Sequence, residues 1–426
     1  MNEKKFPLDK DALEKIAQKY PTPFYVYDEK AIIENVRKIK AAFSVFPSYK
    51  NHFAVKALPN PYILKLLASE GIGADCSSYP ELLLAEMAGM KGEDIMLTAN
   101  ETPASEYRAA LKMGAVINLD DFSHIEYLEK TAGLPELISM RYNPGRLKEG
   151  NAIIGKPEEA KYGLTREQLI NGYSLLKEKG VRRFALHTMV ASNELSAPYH
   201  IETARMLFEL AVEIKEKAGV RLEFINLGGG VGIPYKPEQE AVDYQTLTSV
   251  IQKAYSEIIK PAGLDPINIR TEWGRVITGP YGWLVARAIH KKEIYRNYIG
   301  LDACMADLMR PALYGAYHHI TIPGKENTPL TEVYDVVGSL CENNDKFAVQ
   351  RNLPKITAAS ENGIGDFVVI HDAGAHGRAM GFNYNGKLRC GELLLRQDGS
   401  IIQIRRSETV DDYFATLDLT GVKDFK

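Results

Sequence analysis

A (β/α)8 barrel followed by a mostly β domain is the architecture this chain predicts, and three observations predict it. Eight short apolar runs recur between His52 and Glu272, and amphipathic stretches of helix length separate them. From about Val276 the helical periodicity fades, and strand-like pieces alternate with Gly, Asn and Asp turns. The chain has 426 residues, 45% of them hydrophobic and 25% charged, which suits a barrel with an attached second domain. A doubly wound open sheet is the alternative, but eight strands are a full barrel's worth.

The elements follow in order. A helix near Asp9–Lys19 is broken by Pro21-Thr22-Pro23. Phe24-Tyr25-Val26-Tyr27 then reads as a strand. Ile32, Ile33, Val36, Ile39 and Phe43 recur at helical spacing and predict a helix over Glu29–Phe43. The barrel strands are expected at His52–Lys56, Ile72–Cys76, Ile95–Ala99, Val116–Leu119, Leu137–Tyr142, Arg183–Met189, Leu222–Leu227 and Asn268–Glu272. Helices between them are read at Pro80–Met90, Ala104–Met113, Arg166–Lys179, His200–Lys217 and Tyr244–Ile259. Beyond the barrel, Leu284–His290, Thr331–Val337, Phe367–Ile370 and Ile401–Arg405 read as strands. Three segments result: 1–28, whose strand is free to join the second sheet; 29–275, the barrel; and 276–426, the β-rich domain.

Composition excludes several functions. Net charge is −3 with no basic stripe, so nucleic acid is not an expected partner. No run of 18 apolar residues is present to span a bilayer as a helix. Met1-Asn2-Glu3-Lys4-Lys5 leads into a polar helix, so no secretory leader is expected. The four cysteines, Cys76, Cys304, Cys341 and Cys390, lie far apart, which suggests reduced thiols in a cytoplasmic protein. They form no cluster with the nine histidines, and no metal site is expected.

Barrel active sites form at the C-terminal ends of the strands. Those ends carry Lys56, Asp75, Arg141-Tyr142-Asn143, His187-Thr188-Met189, Gly228-Gly229-Gly230 and Glu272-Trp273-Gly274-Arg275. An ammonium where an apolar strand stops is poorly solvated, so Lys56 is a candidate nucleophile able to form a Schiff base; it also reads as an ordinary surface lysine. The glycine triplet is either a plain turn or a backbone cradle for an anion such as phosphate. Glu272 is either a surface carboxylate paired with Arg275 or an acceptor that keeps a pyridine nitrogen protonated. His187 reads equally as a core histidine, and Arg310 as half of a surface ion pair.

Six segments, in order, carry a resemblance: Phe53-Ala54-Val55-Lys56, Asn226-Leu227-Gly228-Gly229-Gly230, Glu272-x-Gly274-Arg275, Arg310-Pro311-Ala312-Leu313-Tyr314, Cys341-Glu342 and Asp372-Ala373-Gly374-Ala375. They resemble the motif series of diaminopimelate decarboxylases, which are barrel-type pyridoxal phosphate enzymes related to ornithine and arginine decarboxylases. The resemblance covers roughly residues 20–420 and implies the alanine-racemase-like fold type III. It implies that Lys56 carries pyridoxal 5'-phosphate and that Gly228, Gly229 and Gly230, with the backbone around Gly274 and Arg275, hold its phosphate. Glu272 would pair with its ring nitrogen, and Asp75, His187 and Ser192 would complete the cofactor site. Arg275, Arg310 and Tyr314 would hold the distal carboxylate of the substrate, with His376 nearby. Cys341 would return a proton to the α-carbon and Glu342 would bind the distal amine, both from the other protomer of a homodimer.

Departures from the family bear on the substrate. Met189 stands where a histidine usually stacks on the cofactor ring, and a thioether there carries no charge and no proton. His376 replaces the tyrosine that usually follows Asp-Ala-Gly-Ala, and Trp273 stands where proline is usual. No role is assigned to Tyr384. The implied reaction is decarboxylation of meso-2,6-diaminopimelate to L-lysine and CO2, the last step of lysine synthesis. The alternatives are a decarboxylase of D-ornithine or D-lysine and, from another class, a non-catalytic pyridoxal phosphate-binding barrel.

Overall fold

The computed structural model describes residues 4–149 and 155–422. Residues 1–3, on which the leader reading partly rests, lie outside them. Two compact units are present: one comprises Lys30–Pro280, and the other joins the N-terminal stretch through Glu29 to Tyr281 and all that follows. Among the described residues no helix is long and apolar enough to cross a membrane.

Strand β1 (Phe24–Asp28) belongs to the second unit. The first unit is built on β2 (Tyr49–Ala54), β3 (Gly73–Cys76), β4 (Ile95–Thr98), β5 (Val116–Leu119), β6 (Leu137–Tyr142), β7 (Arg183–Thr188), β8 (Leu222–Asn226) and β9 (Asn268–Thr271). Each pairs in parallel with the next, and β9 returns to β2, so the sheet closes as a barrel. The eight apolar runs of the sequence are these eight strands. Met96, Val116, Leu137, Ala185 and Phe224 form one buried cluster of the barrel interior.

The first strand differs at both ends from the expectation of His52–Lys56. It begins at Tyr49, because Tyr49–Asn51 pair with Ile269–Thr271 to close the barrel. Polar residues are stable at this seam: Lys50 is ion-paired with Asp94, and Asn51 Oδ1 accepts from Trp273 N at 2.8 Å. The strand ends at Ala54, and Lys56 lies in the tight helical turn Val55–Ala57 that follows.

Helix starts are set locally. Asn60 accepts a hydrogen bond from Tyr62 N ahead of Pro61–Ser69. Thr165 and Gln168 form a reciprocal capping box at Arg166–Glu178, and Asp243 caps Tyr244–Ile258. Pro61–Ser69 and Ser123–Thr131 are helices not named from the sequence.

The second unit is a mixed sheet. Its strands after β1 are β10 (Gly282–Glu293), β11 (Asn297–Leu301), β12 (Ile320–Thr321), β13 (Glu332–Val337), β14 (Lys346–Leu353), β15 (Phe367–Ile370), β16 (Gly391–Leu395) and β17 (Ile401–Arg405). The order is β14-β13-β11-β10-β1-β16-β17, with β15 pairing both β10 and β12. The N-terminal strand thus lies inside this sheet, antiparallel to β10 and parallel to β16. Its alternate faces are both buried: Phe24 and Val26 pack in a core with Trp283 and Leu393, while Tyr27 Oη donates to the buried Glu392 at 2.7 Å.

Candidate active site

Glu272 immediately follows β9 and is buried. Its Oε1 accepts from Asn226 Nδ2 at 2.8 Å, and its Oε2 lies 2.9 Å from His187 Nε2. His187 Nδ1 is in turn 2.7 Å from Asn118 Nδ2, so side chains from β5, β7, β8 and the end of β9 form one buried polar chain. Burial by itself would raise the Glu272 carboxyl; the His187 imidazole beside it, with Arg141 and Lys56 further off, holds it below its ordinary value. The result is a buried anion that two neighbours hold in one orientation.

The glycine triplet is sewn to that carboxylate. Gly228 O accepts from Glu272 N at 2.9 Å, and Gly228 N donates to Asn226 Oδ1 at 2.9 Å. Gly228 has φ +72°, and a Cβ there would sit 2.0 Å from Thr188 O; only glycine lets the turn after β8 pass so close to the end of β7. Gly229 N points at Met189 Sδ, 3.3 Å away. A thioether is a weak acceptor, which a phosphate oxygen would displace. Met189 itself lies beyond the end of β7, on the loop that faces this turn.

Arg275 closes the same side. Its guanidinium donates to Tyr235 Oη at 2.7 Å and to Ser192 Oγ at 3.4 Å. Gly274 lets this segment rest on the turn that carries Lys56, since a Cβ there would meet Ala57 Cβ at 2.9 Å and Ala54 Cβ at 3.1 Å. Lys56, Glu272, the triplet, Ser192 and Arg275 are therefore held on adjoining backbone segments.

The desolvation expected at Lys56 is not what the structure has. Lys56 is exposed, because the strand stops two residues earlier and the turn carries the side chain outward. The carboxylates feel it nonetheless: its charge lowers the pKa of Asp75, Glu81 and Glu272. Access to a carbonyl thus comes from exposure, not from burial.

Asp75 is the counterpart of Glu272. It is buried, and its Oδ1 has no hydrogen-bond partner. Burial, then the nearby Glu272 charge, push its pKa well above the ordinary value, so the pair divides into one anion and one acid that keeps its proton. This has a stability consequence. The folded state holds the Asp75 proton to higher pH than the unfolded chain, whose value is about 3.9, so this residue's contribution is intact below that pH and is lost as pH rises through the folded-state pKa. Asp75→Asn should remove that loss. Thermal denaturation from acidic to mildly alkaline pH should show a shallower decline for the variant than for the wild type; parallel curves would contradict the assignment.

The remaining candidates lie in the second unit. Arg310 begins the short helix Arg310–Tyr314 and is buried, while Tyr314 at its other end is exposed. His376 is half-buried, with φ +54°. Cys341 and Glu342 are both exposed. The other three cysteines are buried, and burial pushes the Cys304 thiol up to about 12. Among the described residues Cys341 is thus the one accessible thiol.

Asn118, Asn226 and Tyr235 were not foreseen. Each makes its contribution through a partner distant in sequence, and an asparagine inside an apolar run carries no local sign of that partner. Asn226 had one usable signal, since it occupies the end of β8, with only Leu227 between it and the triplet.

The barrel mouth fits a phosphorylated carbonyl cofactor with a basic ring. It offers a fixed anion for the ring nitrogen, an unpartnered carboxyl oxygen, an N–H held only by sulfur and an exposed amine. Residues 30–279, spanning all eight barrel strands, match the family described as "Pyridoxal-dependent decarboxylase, pyridoxal binding domain". The chain belongs to this family and is a pyridoxal phosphate-dependent amino-acid decarboxylase. It is 43% identical to Protein TabA of Pseudomonas amygdali pv. tabaci, over 96% of this chain and 93% of that one. It is 35% identical to diaminopimelate decarboxylase of Methanothermobacter thermautotrophicus, over 94% and 92%. The crystal structure of diaminopimelate decarboxylase from M. jannaschii in co-complex with L-lysine superposes with a TM-score of 0.88 at 29% identity, covering 98% of this chain and 97% of that one.

Proposed function

We propose that the chain decarboxylates meso-2,6-diaminopimelate to L-lysine and CO2. The observation that carries this reading is likeness over nearly the full length to relatives named diaminopimelate decarboxylase, at 35% identity for one of them. It is supported by the family resemblance, which implies Arg275, Arg310 and Tyr314 for a distal carboxylate and Glu342 for a distal amine. The bound cofactor supplies an electron sink for the pair left by the departing carboxylate.

The chain's own residues do the rest. Lys56 Nζ would hold the cofactor through its carbonyl carbon. Glu272, oriented by Asn226 and His187, presents a negative charge to the ring nitrogen and holds a proton there. Gly229 and Gly230 bind phosphate through backbone N–H groups, the Gly228 N–H being taken by Asn226 Oδ1, and Ser192 and Arg275 flank them. Asp75, buried in β3, would line the cofactor site. A guanidinium grips a carboxylate at two points, so contact at the distal end anchors the substrate. Cys341 Sγ delivers the proton that replaces CO2 at the α-carbon. Its exposure, and that of Glu342, supports their serving the partner's site in a homodimer. A cytoplasmic enzyme of lysine synthesis is the corresponding setting.

Met189 and His376 favour a second reading, a decarboxylase of a D-amino acid such as D-lysine or D-ornithine, because both alter groups near cofactor and substrate. Steady-state CO2 release from meso-diaminopimelate and D-lysine separates the two. Turnover of the dicarboxylate is expected; turnover of D-lysine alone would overturn the first reading.

A further inference from the structure

We propose that His318 is the positioning residue for Arg310, aiming its guanidinium at the distal carboxylate. The inference rests on the substrate reading above and deepens it. Arg310 and His318 are both buried, and Arg310 Nη1 lies 2.9 Å from His318 Nε2. A guanidinium has donors only, so His318 Nε2 accepts. Its proton is then on Nδ1, which donates to His371 O at 2.8 Å. The imidazole is held neutral and in one tautomer by a donor on one side and a carbonyl on the other.

The fold fixes both partners. Ile320 of β12 pairs with Ile370 of β15, and His371 N donates to His319 O at 2.9 Å, so the two chain segments are locked in register beside His318. Arg351 Nη1 donates to His318 O at 2.9 Å. His371 is itself oriented: Trp283 Nε1 can only donate, so His371 Nδ1 accepts at 3.1 Å and its Nε2 donates to Thr321 Oγ1 at 2.8 Å. The acceptor for His318 is therefore part of a rigid corner. Asp372, ion-paired with Lys4 at 2.9 Å, supplies the local negative charge that Arg310 feels. His318 Nε2 accepts without bringing a charge of its own, so the contact orients the Arg310 guanidinium without adding an anion to it.

Two variants separate positioning from packing. Asparagine at 318 places its amide where Nδ1 sits, so it retains a donor for His371 O but no acceptor for Arg310. Glutamine places its amide oxygen where Nε2 sits and retains that acceptor. His318→Asn should raise KM for meso-diaminopimelate about 10-fold or more, the size of effect expected on losing a hydrogen bond to a charged group, with kcat nearly unchanged. His318→Gln should recover KM to near the wild-type value. In an Arg310→Lys background His318→Asn should add almost nothing, since both changes act through one guanidinium. Equal KM for the two single variants, a loss confined to kcat, or full multiplication of effects in the double variant would each overturn the proposal. A wild-type enzyme that does not turn over meso-diaminopimelate overturns the substrate reading, and this inference with it; normal wild-type turnover with insensitive variants overturns this inference alone.

Discussion

Lys56→Ala should lower kcat by about 10²- to 10⁴-fold, the range for losing a positioned proton-transfer group, or by more because the tether is lost as well. Fold stability should change little, by about 0.5 kcal/mol or less, because Lys56 is exposed and its turn is held by backbone contacts. Borohydride reduction of the wild-type holoenzyme followed by peptide mapping should place a pyridoxyl group on the peptide containing Lys56, and the variant should take none. A label on another lysine, or activity within 10-fold of wild type, would remove the tether from Lys56 and with it the assignment of the barrel mouth.

Glu272→Gln should lower kcat by about 10²- to 10³-fold while changing KM little. Glutamine keeps the volume and one acceptor oxygen, so one of the two bonds from Asn226 and His187 is kept while the other and the charge are lost. The loss falls on kcat because the anion matters most when electron density moves into the ring. In the wild type this carboxylate lies below its ordinary pKa, so it stays anionic down through mildly acidic pH. The cofactor's absorption band in the variant should shift, an effect visible without turnover. A kcat within a few-fold of wild type and an unchanged spectrum would mean that the ring nitrogen is not paired with Glu272.

The barrel was legible because its signal is local and repeated. Val116–Leu119 and Leu137–Tyr142 read as strands from consecutive apolar residues, and helices such as Ala104–Met113 from spacing alone. The second unit was only partly legible. Asn297–Leu301, Lys346–Leu353 and Gly391–Leu395 were not singled out, because they carry glycine or charge and are stabilised by partners far away in the chain. Gly391–Leu395, for example, pairs in parallel with Phe24–Asp28. The candidate site followed the same division. Glu272, the triplet and Lys56 stand beside strand ends that periodicity locates. Asn118 and Asn226 take their roles only when strands from different parts of the sequence are brought side by side, and the contact between Arg310 and His318 depends on how the chain folds back between a short helix and the loop after it.

The order of strands and helices, and hence which side chains reach the mouth of the barrel, was determined by the sequence alone, since apolar period and turn residues act over a few neighbours. Tertiary structure decided the protonation pattern within that mouth. Asp75 and Glu272 are both carboxylates after apolar runs, and nothing in their local sequence separates them. The fold buries both, gives His187 and Asn226 to one and leaves an oxygen of the other without a partner. Burial disfavours charge, and hydrogen bonds restore it only where the packed strands supply them.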